Sequence, residues 1–598
     1  MTSNFHLFDK KRFLRYTKNA KRKDLILKSM ANRRRGMIST VVVSSLLIFG
    51  IAYLTYGRFL CRQLSPDDQC MTPAIEINDG VDYVPAKASL LLGQHFSAIA
   101  AAGPIVGPVL AGIWFGWLPA LLWIIFGAIF IGGVHDSLSL FASIKHKAAS
   151  VGEIVRLYIP GAHIFFLVFI WLCLLYVIIA FTDITAQTFT AVSQGTAFGP
   201  AVAASSILYL GLAVIMGIGL YQFKLPLWLL TAIFLPLVLF TVWIGPHLPA
   251  SVLAFLGGIT AKQWGVFLLI YCFIVSILPM WLLLQPRGYL GGWLLYMTIF
   301  VGLVGALFGG FKIEYPAVNL SGLHSAVNGK LMFPFLFITI ACGACSGFHA
   351  IVSSGTTSKQ LNKESDVKVI GYGAMLLEGV VAVLALATVM MIPRGSAELT
   401  ADPNLIYAKG LSTYMALFGI GFQVAFPFAL LAFSTFVYDT LDVSTRLARY
   451  VLQEMFGWRS FFGGVAATVI SLVIPLVFLM LTQEKAYLVA WPIFGTSNQM
   501  LASLTLLALA VWLIHSGKKA YYVIWPMAFM MVVTMTALIL QVMPFFRALK
   551  DMTHGVAGKT DIMISGICGI ILLVLSCVLI YLAAKTLFRS TGRRLKTA

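Results

Sequence analysis

The chain has 598 residues, of which 60% are hydrophobic and only 11% charged, with a net charge of +20. Soluble domains run at roughly 45–50% apolar and about 25% charged residues, so this composition excludes a soluble assembly of such a length. Long, repeated apolar runs without short alternating segments also exclude an outer-membrane barrel and predict an all-α polytopic membrane protein with about fifteen transmembrane helices.

Residues 1–36 carry twelve Lys and Arg against Asp9 and Asp24, half of the net charge of +20. A basic tail beside a membrane span reads as a contact with anionic membrane lipids and a topology signal, not as a nucleic-acid arm. The first apolar run, 37–58, is too long and too late for a cleavable signal peptide. It is an extra helix ahead of further spans at 88–115, 117–142, 162–190, 200–220, 226–245, 263–284 and 289–310. A second series follows at 333–355, 370–392, 412–440, 461–482, 487–513, 521–545 and 562–588, before a basic tail at 589–598.

Loop charge sets the orientation. Lys145, Lys147, Lys359, Lys363, Lys368, Arg446, Arg449, Lys518 and Arg593 mark cytoplasmic ends, and span parity keeps them on one side. Counting back from Lys145, however, places residues 1–36 outside. Either the first span does not cross fully, or 88–115 is not one simple crossing.

The stretches His95-Phe-Ser-Ala-Ile-Ala-Ala-Ala-Gly103 and Gly347-Phe-His-Ala-Ile-Val-Ser-Ser-Gly355 share Phe, Ala, Ile and Gly in register. Seven spans start at each copy, an odd number, so the second copy (333–588) is inverted relative to the first (88–310). Inverted repeats with interrupted helices at matching positions mark secondary transporters and point to the binding site. In the first copy Gly103, Pro104 and Pro108 break the helix, freeing carbonyls that suit a cation and N–H groups that suit a carboxylate. In the second, the hydroxyls of Ser353, Ser354, Thr356 and Thr357 surround Gly355 where the helix is expected to unwind. Gly103 and Gly355 are expected to supply the unwound dihedrals. His95 and His349, two positions out of step, either line a polar cavity or bond a neighbouring carbonyl.

Acidic residues within spans are expensive and are therefore functional candidates. They are Asp136, Asp183, Glu378 and Asp439, with Asp442 nearer a span end and suited to an ion pair with Arg446. Glu378 ranks first for carrying a proton, then Asp183, with Asp136 a further candidate. Cys342-x-x-Cys345 lies in an apolar span with no second pair and reads as packing. No metal, cofactor or catalytic motif is called for.

Several stretches resemble the carbon-starvation protein A family of inner-membrane transporters: Asp79–Pro85, Gly93–Leu110, Phe333–Thr357, Gly371–Glu378, Thr445–Gln453 and Trp491–Ala502. The resemblance implies a LeuT-like inverted repeat with interrupted helices and uptake of short peptides or of pyruvate with a proton. It places His95, Gly103, Pro104, Gly347, Phe348, His349, Ser353, Ser354, Gly355, Thr356, Asn498 and Gln499 in matching motifs as substrate-site candidates, together with Asp136, Glu378 and Asp442. Asp439 departs from the Thr expected there. The leading expectation is a proton-coupled importer of small carboxylate-bearing nutrients, used under carbon starvation. The alternative is a membrane starvation sensor that binds its ligand without translocating it.

Overall fold

The computed structural model describes residues 37–597 apart from 80–82, 280, 483–484 and 554–559. The basic segment 1–36 lies outside the described residues, as do the side chains of 589–598. Helix dominates because, in lipid, only a helix satisfies every backbone N–H and C=O within its own segment.

Helix α1 spans Ile38–Leu64. A broken helix follows, α2 (Ala88–Ile99) and α3 (Gly103–Phe115), bent by 45°. Next come α4 (Trp117–Lys145), the short α5 (Val151–Tyr158), α6 (His163–Phe189), α7 (Gly199–Tyr221) and α8 (Leu227–His247). A second bent pair, α9 (Ala250–Gly257) and α10 (Ala261–Ile277), turns by 96° before α11 (Leu284–Phe308). The second half opens on α12 (Met332–Thr339) and α13 (Phe348–Gly355), with the chain unwound between them. Then follow α14 (Glu364–Met390), α15 (Pro403–Met415), α16 (Phe422–Phe456), α17 (Phe461–Leu481), α18 (Ala486–His515), α19 (Tyr521–Met552) and α20 (Ile562–Phe588).

Among the described residues twelve helices are long and apolar enough to cross a membrane, or fourteen with the two bent pairs. The difference from the predicted fifteen is the span at 333–355, which is split into α12 and α13 of 8 residues each. A second correction concerns α11, which begins at Leu284 and not at residue 289. Arg287 is thereby drawn from a loop into a helix.

The two broken helices run in opposite directions. α2 begins beside the Ala86–Leu361 bridge, and α3 ends where Asn319 N donates to Phe115 O at 3.0 Å. α12 begins where Met332 N donates to Leu323 O at 2.9 Å, and α13 ends shortly before Leu361. Packing repeats the inversion. α3 lies on α14 as α13 lies on α4, and α6 meets α18 as α16 meets α11. α10 and α17 flank both α6 and α16, while α5 sits on α6 as α15 sits on α16. The series α2–α6, α10, α11 therefore corresponds to α12–α18 as an inverted repeat. Helices α1, α7–α9, α19 and α20 stand outside this pairing.

Side-chain contacts settle the orientation of α1. Lys145 Nζ lies 2.6 Å from Glu364 Oε1, which gathers Asp67 N at 2.8 Å onto its other oxygen, and Lys518 Nζ donates to Leu64 O at 3.0 Å. The loop after α1 thus sits on the lysine-rich face that loop charge assigns to the cytoplasm. At its other end Ile38 N donates to Phe311 O at 3.1 Å, near Lys312. The two ends of α1 therefore lie on opposite faces of the helix bundle, as do the two ends of the bent pair α2–α3. These contacts set residue 37 on the face opposite Lys145, and 88–115 is a bent pair of helices and not one straight span.

Candidate functional site

The first break sits at Ala100–Ala102, where Pro104 has no N–H to continue the ladder. Ala100 leaves helical geometry at φ −80°, ψ 67°. Gly103 itself is helical, and its value lies in close approach, because a Cβ there would strike the Cys342 side chain. The second break is at Ile340–Gly347, ahead of the expected position. Ser353 and Ser354 lie inside α13, and Gly355 ends it. A Cβ on Gly355 would meet Leu447 Cδ2 at an ordinary 3.5 Å. Glycines and small residues, not the hydroxyl run, unwind this helix. Gly347 N donates to Asn498 O at 3.0 Å, and a Cβ on Gly347 would come within 2.5 Å of that oxygen.

Asn498 and Gln499 on α18 hold the unwound ends. Asn498 Oδ1 accepts from Phe348 N at 2.9 Å, while its Nδ2 donates to Ser346 Oγ at 3.0 Å. Gln499 Nε2 donates to Phe337 O at 2.9 Å and Ile340 O at 3.2 Å. Both side chains satisfy backbone groups that a broken helix leaves open.

Beside α2 and α13 lies a cavity of about 470 Å³. Its rim includes Val84, Lys359, Tyr450 and Glu454 on the lysine-rich face, and its inner end includes His95, Ser97 and Asp439. His95 is 1% exposed, and its Nδ1 lies 2.8 Å from Thr357 Oγ1. Of the substrate-site candidates, His95, Ser354, Gly355 and Thr356 line this cavity. Gly103, Pro104, Gly347, Phe348, Asn498 and Gln499 instead form and brace the breaks. Ser353 is buried, with no hydrogen-bond partner for its hydroxyl among the described residues.

On the side of α13 away from the cavity, ionisable residues form a buried chain. Asp136 Oδ1 lies 2.8 Å from His135 Nδ1, and its Oδ2 lies 2.7 Å from His349 Nδ1. His349 Nε2 in turn is 3.3 Å from Glu378 Oε2. All four side chains are 0% exposed, and among the described residues neither Glu378 oxygen receives a hydrogen bond. π-helical turns at Ala128–Gly132 and Lys368–Gly373 precede Asp136 and Glu378, and such turns recur at functional sites. Asp183 stands apart from this chain. Its Oδ2 accepts from Tyr487 N at 2.9 Å and so caps the start of α18, beside the Lys485–Asp402 pair.

A second buried cluster contains Arg287, which the sequence reading missed. Its Nη2 and Nε reach Asp439 Oδ1 at 2.7 and 3.0 Å, and its Nη1 pairs with Asp442. Arg446, the expected partner of Asp442, donates instead to Val275 O and Leu278 O, each at 2.8 Å. Arg287 escaped notice because its helix was begun two residues after it, although an arginine flanked by apolar runs is itself a signal.

A family model described as carbon starvation protein CstA matches residues 37–406 and 396–537. The chain belongs to the CstA family. The peptide transporter CstA of Bacillus subtilis is 32% identical over 523 residues, covering 78% of this chain and 84% of that protein. The Escherichia coli peptide transporter CstA is 33% identical over 549 residues, covering 79% and 76%. The E. coli pyruvate/proton symporter BtsT is 30% identical over 591 residues, covering 81% and 79%. The relatives are named as transporters and not as enzymes or sensors. With its many apolar helices, this member of the family is a multi-pass inner-membrane transporter.

Proposed function

We propose that this protein is a proton-coupled importer of small carboxylate-bearing nutrients, short peptides or pyruvate, used when carbon is scarce. The observation that carries the reading is the position of α13. One side of this half-helix, with Ser354 and Gly355, forms cavity wall, while His349 on its other side is held between Asp136 and Glu378. One imidazole serves two carboxylates there. A proton gained or lost at Glu378 changes the net charge of that chain, and with it the grip on α13. The cavity is of the size that takes small molecules. It offers Lys359 for a carboxylate and His95 and Thr356 as hydrogen-bonding groups. The peptide and pyruvate names of the relatives support the substrate class, and the symporter among them supports the proton.

The test is uptake by proteoliposomes of labelled pyruvate and, separately, of labelled di- and tripeptides under an imposed pH gradient. The expected result is accumulation of at least one of these against its gradient, abolished by a protonophore. Binding without accumulation would overturn transport, and accumulation unaffected by the protonophore would overturn proton coupling.

A further inference from the structure

The cluster around Arg287 has no part in the coupling chain just described, yet it has the same arithmetic of one cation between two carboxylates. Arg287 and Asp442 are 0% exposed and Asp439 is 4% exposed. Arg287 gives its Nε and Nη2 to Asp439 and its Nη1 to Asp442 and Tyr271. Asp442 Oδ2 also accepts from Tyr271 at 3.0 Å, but no donor among the described residues reaches its Oδ1. A buried carboxylate oxygen without a donor carries the full desolvation cost of its charge. Arg287 divides its N–H groups between the two carboxylates, and the second cation near Asp442, Arg446, gives its Nη2 to backbone carbonyls and not to Oδ1. Facing Asp442 are Tyr271 and Cys272 from α10, Arg287 from α11, Tyr209 from α7, and Asp439, Tyr438 and Arg446 from its own helix. Arg446, one turn on, is committed to two backbone carbonyls.

We propose that the Arg287–Asp439–Asp442 triad is a second proton-binding site, with one proton carried on Asp442 Oδ1 while the cavity faces the cytoplasm. Asp439, which lines the cavity, gives the triad its aqueous approach. Its Oδ2 also accepts from Ser97 Oγ at 2.9 Å, so the charge state of the triad bears on α2, the half-helix opposite α13. The site adds to the proton-coupled reading and rests on it for its role in transport, but its occupancy is measurable without transport.

Infrared spectra of the purified full-length protein in lipid nanodiscs at neutral pH test the occupancy. Protein labelled with heavy carbon at the aspartate side-chain carboxyl should show a protonated-carboxyl stretch displaced from its unlabelled position. A protonated Glu378 is untouched by that label. In Asp442→Asn the displaced band should be lost, and in Asp442→Glu it should also vanish from the aspartate-labelled spectrum. Should Asp442→Asn fail to fold, Asp442→Glu and the labelled wild type still decide. Absence of any aspartate-derived protonated band in the wild type, or its persistence in a folded Asp442 variant, overturns the proposal. Either outcome leaves open to its own test whether uptake is proton-driven.

Discussion

Replacing Glu378 with Gln separates coupling from substrate movement. Glu378 is wholly buried, and among the described residues neither of its carboxyl oxygens receives a hydrogen bond. The neutral amide fills the same space as the protonated acid, so the variant should insert and fold. It leaves His349 facing Asp136 alone, one imidazole to one carboxylate at 2.7 Å. The contrast is His349→Ala, which leaves Asp136 and Glu378 buried without the shared partner. Breaking a buried pair from one side costs about 3–5 kcal/mol, so this variant should lose stability as well as function. For a carrier moving one proton per substrate without net charge, a pH gradient of one unit is worth about 1.4 kcal/mol, an accumulation of about tenfold. In proteoliposomes with an alkaline interior, wild type should approach that ratio and Glu378→Gln should stay near unity. Exchange of labelled for unlabelled substrate without a gradient should remain within about twofold of wild type, because no net protonation is needed there. Tenfold accumulation by Glu378→Gln with wild-type pH dependence would refute the assignment.

Asn498→Ala should remove the acceptor for Phe348 N and the donor to Ser346, at a cost of about 1–3 kcal/mol, read as a lower thermal midpoint and slower uptake; Asn498→Asp, which keeps the acceptor, should recover part of the stability. Gly103→Val should abolish uptake by forcing Cys342 and the unwound segment apart, an overpacking cost of about 1–3 kcal/mol, whereas Gly355→Ala should retain uptake because its added carbon meets Leu447 at van der Waals distance. Comparable loss in both glycine variants would show that backbone conformation, not close approach, is the constraint. Asp183→Asn should leave the response of uptake to the pH gradient unchanged while lowering thermal stability, since Asp183 caps α18 through Tyr487 N.

Most of the helical plan was legible because lipid leaves the backbone no alternative, and apolar runs of the right length announce themselves. The first break was legible for a local reason, the Gly103-Pro104 pair. The second was misplaced by about ten residues because a run of hydroxyls drew attention from Gly343 and Gly347, whose effect lies in how closely Ala382 of α14 approaches the first and α18 the second. Asp136, His349 and Glu378 each stood out as ionisable groups in apolar surroundings. That they form one chain was not legible, since Asp136 and His349 are 213 residues apart and meet only through the packing of α13 on α4. Asp183 illustrates the opposite limit. Its position on α6 matches that of Asp439 on α16, yet the two face different partners, a backbone N–H in one case and a guanidinium in the other. The sequence reads as a repeat of seven consecutive spans in each of 88–310 and 333–588, whereas the packing leaves α7–α9, α19 and α20 unpaired, and even helices that do correspond carry different chemistry.

The two half-helices beside the cavity are tied to different ionic clusters, α2 through Ser97 to Asp439 and α13 through His349 to Asp136 and Glu378. Access from the cytoplasm requires both ties to permit a gap between α2 and α13, and that gap is the cavity seen here. Thr356, half-buried in its wall just past the end of α13, reports on which face is open. In a background with the eight native cysteines replaced, Thr356→Cys should react with a membrane-impermeant maleimide added to inside-out vesicles. It should be protected when the same reagent is added to right-side-out cells. Substrate that fills the cavity should slow the reaction, and Glu378→Gln should change its rate by shifting the balance between the two open states. Labelling that is equal from both sides, or faster from outside, would refute a cytoplasm-facing cavity and with it the orientation fixed by Lys145, Glu364 and Lys518.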